Sequence, residues 1–358
     1  MRQDAGWKEA APETTGPSAE PRLAWQARDG QPAAEALQVS AQLACRAPQP
    51  FDDIEELRRR YEACRKPFVP AREAVDSVFH VHPRAGEGPP VSVIRPIASV
   101  DRKSMSAILF LHGGGWTAGT FEIYEPLCRQ IANATDSIVV YVHYRLAPEH
   151  PFPAAFDDTR AALRWVHANR RWLGIDPDRI ALAGDGAGGN LAAAACLAEC
   201  NEATGYQPHR QILLYPCLDM SACMPSHKTP DAHGPLTAQM HRRYRQAYAA
   251  GHSKPGLWRL SPLFAYDVSR LPPSVILYAG FDRLRDEAVA YAGRLQESGV
   301  PVESLGFADM IHDFMLLGGA LAAANVAVRR VAQAVAGLPA AKPRQKGFGS
   351  GTCALPTI

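Results

Sequence analysis

Four short stretches of this chain carry residues able to do chemistry, and in each the spacing points to a task. His112-Gly113-Gly114-Gly115-Trp116 follows the apolar run AILFL. Three consecutive glycines let a backbone turn with bare N–H groups converging on one point, the geometry that holds a developing oxyanion. The same glycines would also serve a plain tight turn between strand and helix. The second stretch, Gly184-Asp185-Gly186-Ala187-Gly188-Gly189-Asn190, follows RIALAG and opens the Ala-rich run NLAAAACLAEC. Strand, sharp turn and helix is the setting of a nucleophile elbow, G-x-S-x-G. Here the middle position is Gly186. The small flanking residues, the helix N-terminus that favours negative charge and the Ala187 N–H are all in place, without a nucleophilic side chain.

The string GDGAGG also satisfies the dinucleotide pattern G-x-G-x-x-G. It stands after several strands rather than opening the fold, and no acid for a ribose lies about 20 residues on, around Pro208 to Leu213. A dinucleotide site is therefore not expected, and no cofactor is. The third stretch places Asp282 just past the run SVILYAG. A carboxylate there can orient an imidazole and stabilise its charged form, although capping a helix would also explain it. The fourth brings His312 thirty residues later, after VESLGF. A single loop histidine is usually a surface residue, but the chain order of nucleophile position, acid and then histidine fits a general base.

Other polar residues read more simply. His80 and His82 alternate on a strand and face one way, but no third ligand follows at a recognisable spacing, so no metal is expected. Tyr144 to Glu149 reads as a polar loop in which Arg145 and Glu149 pair to brace the catalytic face. The eight cysteines are scattered without C-x-x-C pairs, which favours free thiols, and Cys196 and Cys200 share a helix face suited to core packing.

These residues need a scaffold, and the rest of the chain describes one. From about Asp76, short β-rich runs (VFHVH, VSVIRP, AILFLHG, SIVVYVHY, RIALAGD, ILLYP, SVILYAG) alternate, from the third onward, with segments of helical period. That alternation implies a mainly parallel sheet covered on both faces, with an antiparallel opening from the first two runs. Between Pro216 and Leu271 helical pieces and turns replace strands, over a length too great for an ordinary connection. An insertion leaving the carboxyl ends of the strands would form a lid. Ile54, Leu57, Tyr61 and Cys64 fall on one side of a helix that must be covered. The expected division is tails at 1–32 and 338–358, cap helices at 33–75, and an α/β domain at 76–337 with a cap insertion at about 219–260. Within that insertion Met240, Tyr244 and Trp258 are candidates to line a pocket.

Composition narrows the partners. Lys+Arg 38 against Asp+Glu 36 leaves +2 with no long run of one sign, so nothing favours nucleic acid or an anionic membrane. No run approaches 18 apolar residues and the polar start lacks a signal core, so no membrane span and a cytoplasmic location are expected. Hydrophobic residues at 47% and charged residues at 21% exclude a disordered chain.

Taken together, HGGGW at 112–116, HYRLAPEHPFPAAFDD at 143–158, GDGAGGN at 184–190, SPL at 261–263, DRLRDE at 282–287 and HDF at 312–314 resemble the hormone-sensitive-lipase-like carboxylesterases of the α/β-hydrolase fold. The resemblance spans about Asp76 to Val335. It implies an eight-stranded, mostly parallel sheet with helices on both faces, a helical cap, and hydrolysis of short or medium acyl esters. It also implies Asp282 as triad acid and His312 as base. An oxyanion hole is implied from the N–H groups of Gly114, Gly115 and Ala187, with Gly113 as a further candidate. The partner is then a small ester, and a homodimer is compatible with it. Two departures stand out: Gly186 occupies the family's serine position, and His143 stands where the family commonly has Asp.

Three readings remain open on the sequence. The chain is an esterase-family hydrolase whose acyl-enzyme chemistry is nearly abolished by Gly186. Alternatively, it is a serine-free enzyme using His312 as base for elimination, cyclisation or hydration. Lastly, it is a non-catalytic receptor that keeps the pocket. Whether the chain counts as an enzyme turns on position 186.

Overall fold

Strand formation follows the β-branched and aromatic runs, and the period of two along each strand divides the core into two layers. On β3 (Met105–Leu111), Leu109 and Leu111 face one layer while Ile108 and Phe110 face the other. The first layer is completed by α4 (Ala154–Leu173), α5 (Ala187–Asn201) and α7 (Arg285–Glu297). The second is completed by α1 (Ala34–Arg46), α2 (Ile54–Arg65), α3 (Phe121–Thr135) and α8 (Ala323–Gly337). The computed structural model describes residues 31–46, 53–99, 104–202, 205–228, 233–252 and 257–339, with Arg102 and Pro230. The tails expected at 1–32 and 338–358 lie almost wholly outside the described residues.

The other strands are β1 (Ser77–Val81), β2 (Val91–Arg95), β4 (Ile138–Val142), β5 (Ile175–Asp185), β6 (Arg210–Leu214), β7 (Ser274–Phe281) and β8 (Val302–Ile311). Their order in one sheet is β1-β2-β4-β3-β5-β6-β7-β8. The β1–β2 and β2–β4 pairs are antiparallel and every other pair is parallel. The chain thus has the doubly covered, eight-stranded, mostly parallel α/β sheet expected of it. Register places Leu109 opposite Leu182 and Ile212 opposite Val275, so buried aliphatic rows run across the central strands.

Helix ends are set by local chemistry. Asp53 caps α2 by accepting from the N–H groups of Glu55 and Glu56, and Gly174 ends α4 in a left-handed conformation. Leu57, Tyr61 and Cys64 of α2 are buried as their spacing requires, and Cys196 and Cys200 are buried on α5. The described cysteines 64, 128, 196, 200, 217 and 223 are free thiols. Between β6 and β7 the chain forms α6 (Ala238–Ala249) and short 3-10 turns. Among the described residues no helix is long and apolar enough to cross a membrane.

One expectation for the catalytic face is corrected. Arg145 does not pair with Glu149: its Nη2 and Nε lie 2.7 and 3.1 Å from Asp158 Oδ1, at the start of α4. Glu149 instead receives a two-point bond from Arg58 of α2, at 2.8 and 2.7 Å. Arg58 also donates to the carbonyls of Thr117 and Ala147. The acid near in sequence loses to partners supplied by packing.

Candidate active site

In each of the four chemistry-bearing stretches a key residue stands directly after a parallel strand: His112 after β3, Gly186 after β5, Asp282 after β7 and His312 after β8. Parallel strands share one carboxyl edge, so the topology gathers the four there.

The turn at Gly186 is sharp because its neighbours are small. A Cβ at Gly188 would lie 1.9 Å from the Leu111 carbonyl oxygen, and one at Gly184 would lie 2.4 Å from Gly188 backbone. Gly186 itself has φ 50 and ψ −111, a backbone that side chains rarely adopt. Its N–H donates to Leu214 O, and its carbonyl accepts from Cys217 N, both at 3.0 Å. A Cβ on Gly186 would meet only His312, at 3.5 Å from Nε2 and 3.6 Å from Cε1.

Behind the imidazole, His312 Nδ1 lies 2.7 Å from Asp282 Oδ2, while Asp282 Oδ1 accepts from Leu284 N at 2.9 Å. The bond to Asp282 places a proton on Nδ1 and turns Nε2 toward position 186. A second carboxylate is close, for Asp313 Oδ1 lies 3.3 Å from His312 Nε2. Burial works against the charged imidazole, but Asp282 and then Asp313 outweigh it and raise its pKa to about 9.

In the glycine loop, Gly114 and Gly115 take φ 93 and 62. A Cβ at Gly114 would strike Ala118 O at 2.2 Å, and one at Gly115 would strike the Tyr244 ring at 2.2 Å. Among the described residues nothing accepts from the N–H groups of Gly114, Gly115 or Ala187. Gly113 differs: its N–H donates to Asp185 Oδ1 at 2.7 Å, so this candidate is committed elsewhere. Tyr124 donates to the other oxygen of Asp185 at 3.0 Å. Burial, then the Asp313 charge, raises the Asp185 pKa to about 7. His112 is stacked beside Tyr144, with Nδ1 2.7 Å from Gly113 O. Burial lowers its pKa to about 3, so it is a neutral brace.

The cavity over this edge is walled by Tyr61 and Arg65 of α2, Trp116, and Met240, His241 and Tyr244 of α6. Of the three residues singled out in the insertion, Met240 and Tyr244 line it; Trp258 packs edge-on against Phe156 instead. His80 is exposed on β1 and bonds Ser92 Oγ at 2.7 Å, and the same hydroxyl meets His143 Nε2 at 2.7 Å. Burial, with His80 and His82 nearby, lowers the His143 pKa to about 4, so the residue found where Asp is common stays neutral. Sequence reasoning missed Arg65, Asp185 and Arg58. Nothing in their local pattern marks them, since each partner lies far along the chain.

The fold defines a class, the α/β-hydrolases. Residues 108–316 match the family model described as alpha/beta hydrolase fold. The chain belongs to the hormone-sensitive-lipase-like carboxylesterases of that fold. It is 35% identical over 287 residues to esterase LipI of Mycobacterium tuberculosis, covering 78% of this chain and 87% of that protein. It is 32% identical over 285 residues to an ethyl acetate hydrolase of Pseudomonas putida, covering 79% and 90%. Among solved structures, the hyperthermophilic esterase of the archaeon Pyrobaculum calidifontis superposes with a TM-score of 0.77 at 31% identity, covering 85% of this chain and 98% of that one. An ester hydrolase from the metagenome of Lake Arreo, complexed with a phosphonate derivative, gives 0.80 at 31%, with the same coverage.

Proposed function

We propose that the site is built for carboxylic esters of short to medium acyl chains, and that glycine at 186 leaves it able to bind them without forming an acyl-enzyme. The carrying observation is the built Cβ of Gly186, 3.5 Å from His312 Nε2 and in contact with nothing else. A serine there would set its hydroxyl within reach of the base, opposite the Gly114, Gly115 and Ala187 donors. In this reading Asp282 orients His312, His312 takes the serine proton and returns it to the leaving alcohol, and the three N–H groups hold the tetrahedral oxyanion. Segments 33–75 and about 219–260 act as the cap, through α2 and α6.

Loss of the nucleophile removes on the order of 10⁶ in kcat from a serine hydrolase. The native chain should therefore be nearly silent on p-nitrophenyl acetate and butyrate, and Gly186→Ser should raise turnover by several orders of magnitude. The same change should cost about 1–3 kcal/mol of stability, because a side chain takes over a positive φ. A folded Gly186→Ser protein that stays silent on all short esters would end the esterase reading. The serine-free alternative needs a neutral His312 as base. The serine mechanism needs the same, so a pKa raised to about 9 moves the base limb of either to alkaline pH, and the Gly186→Ser assay is what separates the two.

A further inference from the structure

Arg65 is an uncommon neighbour for a catalytic imidazole. It is the last residue of α2, its side chain is 7% exposed, and it lies in the wall of the cavity rather than on the surface. Its Nη2 and Nε donate to Asp313 Oδ2 at 2.7 and 3.1 Å, and its guanidinium sits 3.7 Å over the Tyr61 ring. The other oxygen of Asp313 is the one 3.3 Å from His312 Nε2. Asp313 holds a positive φ of 63, and its carbonyl accepts from Leu317 N. A buried pair of this kind costs desolvation and is weak ground for stability alone, so its placement asks for another explanation.

We propose that Asp313, held by Arg65 of the cap helix, is a positioning residue for His312: Asp282 bonds Nδ1, the Asp313 carboxylate stands 3.3 Å from Nε2, and a nucleophile at position 186 must share that nitrogen with its charge. The inference rests on the reading of His312 as the base of the site. The arrangement links cap to chemistry, because the α2 segment that closes the cavity also aims the carboxylate. The charged form of His312 is favoured twice, once on each ring nitrogen, while Arg65 draws part of the Asp313 charge away. Other groups facing the imidazole are Asp185 at the end of β5, Tyr215 after β6, with ring centres 5.1 Å apart, and His241 of α6. Burial lowers the His241 pKa to about 2, so it faces His312 uncharged. Burial opposes ionisation of Asp313, but His312 and Arg65 hold its pKa below the usual range, so its charge persists wherever His312 titrates.

The test is a pH titration of the His312 ring by NMR in the native Gly186 chain, with the signal assigned by His312→Gln. The midpoint should lie near pH 9. Asp313→Asn should lower it by about one to two pH units, and Arg65→Met should raise it while Arg65→Lys stays close to the parent. Opposite shifts from two members of one pair are not what a merely structural role gives. A midpoint that stays within a few tenths in Asp313→Asn, or that moves the same way in both variants, overturns the proposal. Should Asp313→Asn fail to fold, the Arg65→Met and Arg65→Lys contrast decides alone, an unmoved midpoint being the refutation. In the Gly186→Ser background, Asp313→Asn should move the rising limb of kcat/KM for p-nitrophenyl butyrate to lower pH. If Gly186→Ser is silent but the NMR midpoint shifts, the esterase reading fails and the positioning role stands. If Gly186→Ser is active but the midpoint does not shift, the positioning role fails.

Discussion

Asp282 holds His312 through a single 2.7 Å contact, with its second oxygen already engaged by Leu284 N. Asp282→Asn keeps the shape but presents an amide, which favours the wrong imidazole tautomer. In the Gly186→Ser background it should lower kcat by about 10⁴ with little change in KM; a loss under tenfold would show that this orientation does not matter. The raised pKa of His312 also fixes a sign for stability. A folded-state value of about 9 against an ordinary 6.5 means a contribution complete below pH 6.5 and lost as pH rises through 9. Its size is on the order of 3 kcal/mol. Urea midpoints should fall across that window in the native chain, and His312→Gln should flatten the fall. At this scale Gly186 and Asp282 were legible because each stands two residues past a strand-like run, and His312 because it follows both in the chain order of nucleophile position, acid and base. Asp185 and Asp313 sat inside the quoted motifs with no sign of their roles. Their partners are 72 residues away at Gly113 and 248 away at Arg65, and only packing brings them together.

At the scale of elements, the close crossing of β3, β5 and α5 depends on glycine where a methyl has no room. Gly188→Ala puts Cβ 1.9 Å from the Leu111 carbonyl oxygen, a backbone atom that cannot swing aside. The strand or the helix must shift, so the substitution should destabilise by more than about 3 kcal/mol, measurable by urea denaturation. Gly293→Ala on α7, where a Cβ meets nothing within 4 Å, should be neutral or slightly stabilising in the same assay. Strands and helices were readable here from the periods of their apolar residues, and the antiparallel start from the short Pro/Gly loop. The place of β3 between β4 and β5 was not readable from local pattern, because strand order depends on crossovers. For the same reason the Arg145–Glu149 pairing failed: Asp158 sits at the head of α4, which the crossover after β4 delivers to Arg145.

For the whole molecule, the decisive joint is between residues 31–46 and 53–69 and the α/β body. Ala36, Val39, Leu43, Leu57, Tyr61, Cys64 and Phe68 are buried in the layer that also holds Phe314, Leu317 and Leu321. Backbone bonds from Ala33 N to Asp309 O and from Gly319 N to Phe68 O tie the segment to β8 and to the loop after His312. Withdrawing those seven side chains forfeits on the order of 10 kcal/mol of apolar burial, comparable to the total stability of an ordinary domain. If the segment were only a lid, its removal would leave a folded body with an open site. The burial argues instead that it is part of the core. A chain starting at Pro70 should lose its near-UV circular dichroism and bind anilinonaphthalene sulfonate. Arg58→Met should keep a cooperative melt, because the Arg58–Glu149 pair it removes is partly exposed and contributes little. Hydrogen exchange should then rise in α2 while the central strands stay protected. A cooperative melt from the Pro70 chain would show that the segment is dispensable to the fold and serves the cavity alone.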